Sequence, residues 1–193
     1  MYLGIILIFF FIFVQICAID KQFSQTMRRK DREMNAAFAW EVLCKAPYIT
    51  VGMTCPDGTP YSVPLSLAKG EGDIFYFHCA HEGKKLDCIA HQPIVCLSAV
   101  TKCKPTVGPK DDSFTLEFRS AIAMGRAEIV TDKEERIEAL RFICQRFLPK
   151  HMDAFDDAIR QSIAHTTVVR ITLIEPPVGK RKEYDEHGEE KRN

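Results

Sequence analysis

Residues 48–67 read Tyr-Ile-Thr-Val-Gly-Met-Thr-Cys-Pro-Asp-Gly-Thr-Pro-Tyr-Ser-Val-Pro-Leu-Ser-Leu. Tyr48 to Met53 is short and rich in β-branched residues, which predicts a strand. In Pro56-Asp57-Gly58-Thr59, proline presets φ and glycine takes a positive φ, so the chain reverses there. Tyr61 to Leu67 then returns as the second strand of a hairpin. Another turn, Lys69 to Asp73, leads into a third strand, Ile74 to His78.

Outward from this hairpin the pattern continues in both directions. Upstream, Phe38, Val42 and Leu43 recur at helical spacing, with Trp40 adding a second contact line, and predict a helix over Asp31 to Lys45 that Pro47 ends. Downstream, Glu82 to His91 reads as a short helix stopped by Pro93, and Ile94 to Thr101 as a buried strand. Lys102 to Ser113, with two prolines and several charges, reads as a loop. Phe114 to Val130 alternates and reads as a long strand kinked at Gly125. Thr131 to Glu134 fits a capping box for a helix reaching Leu148, and Asp153 to Ser162 is a further helix. Thr166 to Glu175 is the last strand. The strands after the first turn are joined by tight turns rather than helical crossovers. That predicts a mainly β protein with flanking helices, its antiparallel sheet curled into a barrel, and argues against a doubly wound parallel sheet.

The bulk numbers set limits. The chain has 193 residues, 46% of them hydrophobic and 27% charged, which suits one domain with a core. Lys+Arg and Asp+Glu both number 26, so the formal net charge is zero, and nucleic acid is not an expected partner. The 8 cysteines include no C-x-x-C pair, and several sit in apolar runs. They read as reduced thiols acting as small hydrophobes, without a disulfide framework or zinc spacing. Residues 3–19 are apolar and open three readings: a signal peptide, a membrane anchor, or sequence ahead of a native start at Met27. The basic cluster after them keeps the domain cytoplasmic if the segment inserts. The expected organisation is a leader over 1–26, one domain over 27–175, and a charged, disordered tail over 176–193.

Residues 77–87, Phe-His-Cys-Ala-His-Glu-Gly-Lys-Lys-Leu-Asp, carry the chemistry. A strand ends, a glycine follows, and two lysines open a helix. Cations are misplaced in a first helical turn, because that end already carries partial positive charge and unpaired N–H groups. A bound anion removes the conflict, with N–H donors and ammonium groups converging on one phosphate. A solvated helix start with Glu82 as counter-charge is the plain alternative. His78, Cys79 and His81 are too few for a metal site without distant help, so no metal is expected. His78 suits either proton donation to a substrate or a hydrogen bond to cofactor or backbone; His81 is expected to be exposed.

Four stretches resemble the pyridoxamine 5′-phosphate oxidase-like superfamily, in its subgroup of 5-nitroimidazole resistance flavoproteins. They are Pro60 to Leu65, Ile74 to Ala80, Glu82 to Asp87 and Gln92 to Cys96. Met27 to Glu33 is similar to the usual start of that subgroup, and Ser120 to Glu128 to its long later strand. The resemblance spans about Met27 to Ile174. It implies a six-stranded split β-barrel and a homodimer with FMN at the subunit interface. By position, Lys84 would grip the FMN phosphate, assisted by Lys85 and the N–H of Gly83. Val63, Pro64, Leu65 and Ser66 would run along the isoalloxazine ring, and Phe77 and His78 would end the next strand beside the phosphate and ribityl chain. The implied activity is flavin-dependent reduction of nitro-aromatic or similar small acceptors by an external electron donor, with His78 as the catalytic proton donor. Non-catalytic binding of flavin, deazaflavin or haem is the alternative. The chain has Gly83-Lys84 where the oxidase proper has Arg-Lys, and no match to that enzyme's C-terminal Arg-x-His, so pyridoxamine phosphate oxidation is not expected.

Overall fold

The computed structural model describes residues 27–108 and 112–192. The leader, with its three readings, lies outside the described residues. Among them no helix is long and apolar enough to cross a membrane.

Nine strands form one antiparallel sheet: β1 (Glu33–Met34), β2 (Ile49–Thr54), β3 (Pro60–Leu65), β4 (Ala68–Lys69), β5 (Ile74–Cys79), β6 (Ile94–Val107), β7 (Phe114–Ile129), β8 (Thr167–Leu173) and β9 (Val178–Lys182). Their order is β3-β2-β6-β7-β8-β5-β4, with β9 pairing β1 and β7. The six long strands β2, β3 and β5 to β8 are those of the expected barrel. The sheet does not close, since β3 and β4 each end it, and this opening is the split.

Alternation puts the core on one face. Ile49, Val51 and Met53 of β2 are buried, as are Val95, Leu97 and Ala99 of β6. Alanines 121, 123 and 127 of β7 leave room for larger partners. Helix α1 (Ala36–Lys45) lays Phe38, Ala39, Val42 and Leu43 into that space. It starts five residues later than the sequence predicts, because Asn35 caps it by accepting from Phe38 N at 3.0 Å. β5 is buried on both faces: Phe75 and Phe77 enter the main core, and Tyr76 enters a second cluster under α3 (Lys133–Phe147) and α4 (Phe155–Ser162). The cap of α3 is Asp132, whose carboxylate accepts from Glu135 N at 2.8 Å, one residue beyond the expected Thr131.

Three expectations fail for physical reasons. The first half of Lys102 to Ser113 is strand, because Lys102 and Lys104 face Glu117 (3.3 and 3.7 Å) and Lys102 also reaches Glu183 at 2.8 Å. Pro105 is tolerated there because β6 pairs with β2 only at residues 96–98. Gly125 is in regular register, and the irregularity falls instead between Val100 and Lys102. The glycine is needed for closeness, since a Cβ would come within 2.5 Å of the Ile171 side chain. The tail is not free: β9 lies between β1 and β7, Gly179 packs on Phe38, and Arg32 pairs with Glu190 at 2.6 Å.

The reduced-thiol expectation also fails at one pair. Cys55 and Cys88 form a disulfide, with Cα atoms 4.3 Å apart and a sequence separation of 33. Cys44, Cys79, Cys96, Cys103 and Cys144 are free.

Tyr76 supplies a pH-dependent contribution. Its hydroxyl donates to Glu135 at 3.0 Å, and Arg170 bonds the same carboxylate at 2.9 Å. Burial, then the hydrogen bond to Glu135, push the phenol up to about 12. The folded state therefore holds this proton more tightly than the unfolded chain does. The stabilisation is complete below the ordinary phenol range and is lost as pH rises from about 10 towards 12. Thermal melts should fall through that window, and Tyr76→Phe should flatten the fall. An equal fall in both proteins would assign it elsewhere.

Candidate functional site

Helix α2 (Lys84–His91) follows β5 after four residues. It starts at Lys84, two residues later than the sequence predicts, because Gly83 has φ 132° and cannot be helical. That positive φ needs glycine, and a Cβ there would meet nothing within 4 Å, so the space in front of the helix is open. No side chain caps Gly83. The first helical bonds run from Leu86 and Asp87 N–H to Gly83 O at 2.8 and 3.4 Å, which leaves the N–H groups of Lys84 and Lys85 ahead of the ladder.

The two lysines differ. Lys84 is exposed, its Nζ 5.1 Å from the centre of the Tyr61 ring on β3. Its charge helps hold the Asp57 carboxyl low, behind the larger effect of the Thr59 hydrogen bonds. Lys85 is half-buried. Its charge partly offsets the burial that pushes the Cys79 thiol up. Among the described residues neither ammonium forms a salt bridge. A dianion would meet two cations, open N–H groups and room for its oxygens.

The other expected residues are distributed along β3 and β5. Pro64 and Ser66 are exposed, while Val63 and Leu65 lean on the core. β3 pairs only with β2, so its other edge offers backbone groups to a ligand. His78 is exposed at the end of β5, opposite Val168. Phe77 corrects the sequence reading: its ring is 1% exposed in the core, so its side chain cannot reach a cofactor. His81 departs too. Though exposed, its Nε2 donates to Ala164 O at 2.8 Å and its Nδ1 meets Thr167 Oγ1 at 2.7 Å. It ties the segment between β5 and α2 to β8.

Sequence reasoning also misses a cleft of about 490 Å³ on the outward face of the sheet. Gly52, Ser62, Cys96 and Met124 form one row across β3, β2, β6 and β7 there, with Gln92 at its margin. A Cβ on Gly52 would meet only Cys96 atoms, at 3.6 and 3.8 Å, so the glycine keeps this floor low. Four strands contribute one residue each, and no local pattern announces such a row.

A family model described as pyridoxamine 5′-phosphate oxidase matches residues 35–177. The chain belongs to this family. Three solved structures share the fold of this pyridoxamine 5′-phosphate oxidase family member. A protein provisionally named a 5-nitroimidazole antibiotic resistance protein, from Bacteroides thetaiotaomicron, is 24% identical, with TM-score 0.64 over 77% of this chain and 87% of that one. A flavocytochrome from Azotobacter vinelandii is 21% identical, with TM-score 0.72 over 88% and 79%. An FAD and haem binding protein from Mycobacterium smegmatis is 18% identical, with TM-score 0.67 over 79% and 74%. At these identities the likeness shows the fold. No curated protein matches the chain.

Proposed function

We propose that the chain binds FMN with its phosphate at Gly83, Lys84 and Lys85 and acts as a flavin-dependent oxidoreductase on nitro-aromatic or similar small acceptors. The observation that carries this is the start of α2: a helix whose first two residues are lysines that form no salt bridge among the described residues, without a side-chain cap and behind a glycine with open space above it. The family and the solved relatives that bind FAD or haem support a flavin of this kind.

The flavin, when bound, supplies the electron transfer. The chain's own residues do the rest. Lys84 and the N–H groups ahead of the ladder fix the phosphate, and the free edge of β3 from Val63 to Ser66 lines the ring. His78, exposed at the end of β5, delivers a proton to the acceptor, which needs protons as well as electrons. A second copy of the chain covers the outward face, where Val100 and Ile122 are exposed on β6 and β7, and encloses the flavin between subunits. The site then works with an external electron donor.

The purified protein should be yellow, bleach with a reductant and recover its colour on adding a nitroimidazole. A Soret band, or a colourless protein indifferent to FMN, would overturn the reading. His78→Ala should keep most of the FMN affinity and lose roughly 100-fold in acceptor turnover, the range of a lost general acid. Full turnover in that variant would remove His78 from the chemistry.

A further inference from the structure

The Cys55–Cys88 disulfide joins the two elements that meet at the lysine corner. Cys55 opens the turn between β2 and β3, where its N–H donates to Thr59 O at 2.9 Å and its carbonyl accepts from Gly58 N at 2.8 Å. In that turn Asp57 is held by Thr59 N at 3.0 Å and Thr59 Oγ1 at 2.6 Å. Tyr61 follows directly on β3. Cys88 stands four residues after Lys84, on the same face of α2 and one turn along it. The cross-link therefore pins the lysine-bearing face of α2 to the turn that carries Asp57 and leads into Tyr61.

Little else fixes that end of the helix. α2 has 8 residues, too few to hold a helix alone, and its start has no side-chain cap. Leu86 and Ile89 anchor its other face in the core. The glycine before it has φ 132°, in a region that other residues rarely adopt. The disulfide sulfurs belong to residues 2% and 0% exposed, so a reductant or oxidant reaches them only when the start of α2 opens locally.

We propose that Cys55 and Cys88 are a redox-sensitive positioning pair: oxidised, they hold Lys84 where it grips the cofactor phosphate, and reduced, they release it. The proposal rests on the flavin reading for the identity of the anion. A dithiol reductant transfers two electrons and two protons, giving two thiols here and one disulfide in the reductant. An oxidant of the peroxide or disulfide class reverses the step. Neither cysteine touches the ligand; both act through the placement of α2.

The test compares oxidised protein, protein reduced by a small dithiol, and the Cys55→Ala/Cys88→Ala double variant, all verified as folded by circular dichroism. FMN affinity is followed by fluorescence quenching, and amide hydrogen exchange is followed without ligand. Reduction should weaken FMN binding about tenfold, the scale of one lost charge-assisted contact, and reoxidation should restore it. The double variant should match the reduced protein and ignore the dithiol. Exchange at Lys84 to Asp87 should quicken on reduction while that of α3 stays unchanged. Equal FMN affinity in both redox states overturns the proposal, as does a mass showing both thiols free after oxidation. If neither state binds FMN, the flavin reading fails, and the exchange rates at α2 still decide whether the pair positions the helix.

Discussion

Lys84→Ala is expected to weaken FMN binding by roughly 10- to 100-fold, as one hydrogen bond between charged groups contributes about 1.5–3 kcal/mol. The expectation follows from what surrounds the ammonium. It stands at the first residue of α2, over the Tyr61 ring, and among the described residues no carboxylate forms a salt bridge with it. Its removal leaves the phosphate with Lys85, which is half-buried, and with the N–H groups ahead of the ladder. Lys84→Arg should retain most of the affinity, since the charge stays. Raising the salt concentration should narrow the gap between wild type and Lys84→Ala, because the anchor is exposed and screened. The measurement is a flavin fluorescence titration of the variants beside melts without ligand. Equal affinity in wild type and Lys84→Ala would show that the phosphate does not sit there.

The second large effect concerns stability. Cys55 and Cys88 are 33 residues apart in sequence, and closing a loop of that length in the unfolded chain is worth roughly 3–4 kcal/mol on the chain-entropy account. For a protein of this size that corresponds to a drop in Tm of roughly 10 °C on reduction. Melts with and without a dithiol should show this drop, and Cys55→Ala/Cys88→Ala should show no further change with the reductant. Melts that coincide in both conditions would mean that the link contributes nothing to folding. The effect is separate from flavin affinity, because it acts on the unfolded chain in the absence of any ligand.

Local chemistry was the most legible part of this sequence. Residues 48–67 announce their hairpin because proline and glycine at fixed places in the turn leave the backbone few choices, and Gly83 with its positive φ marks the helix start that the two lysines open. β9 escaped because Gly-Lys-Arg-Lys carries no apolar alternation. It is held by β1 and β7 on either side, with Gly179 against Phe38, and none of those partners is nearby in sequence. The second half of β6 escaped for the same reason, since its lysines need Glu117 and Glu183 to be tolerable in a strand. Phe77 was drawn into the site by its neighbours, yet strand alternation turns its ring inward. The pairing of Cys55 with Cys88 could not be read from spacing, because only the packing of α2 on the hairpin turn brings them together.

The pairing of β1 with β9 also bears on how the molecule is made. Residues 33–34 find their partners at 179–180, on the far side of β2 to β8 in the chain. A ribosome reaches those partners only after β2 to β8 have been translated. Until then the flank of α1 near Phe38 lacks the backbone that covers it, and the emerging chain must wait, or be shielded, before that side can shut.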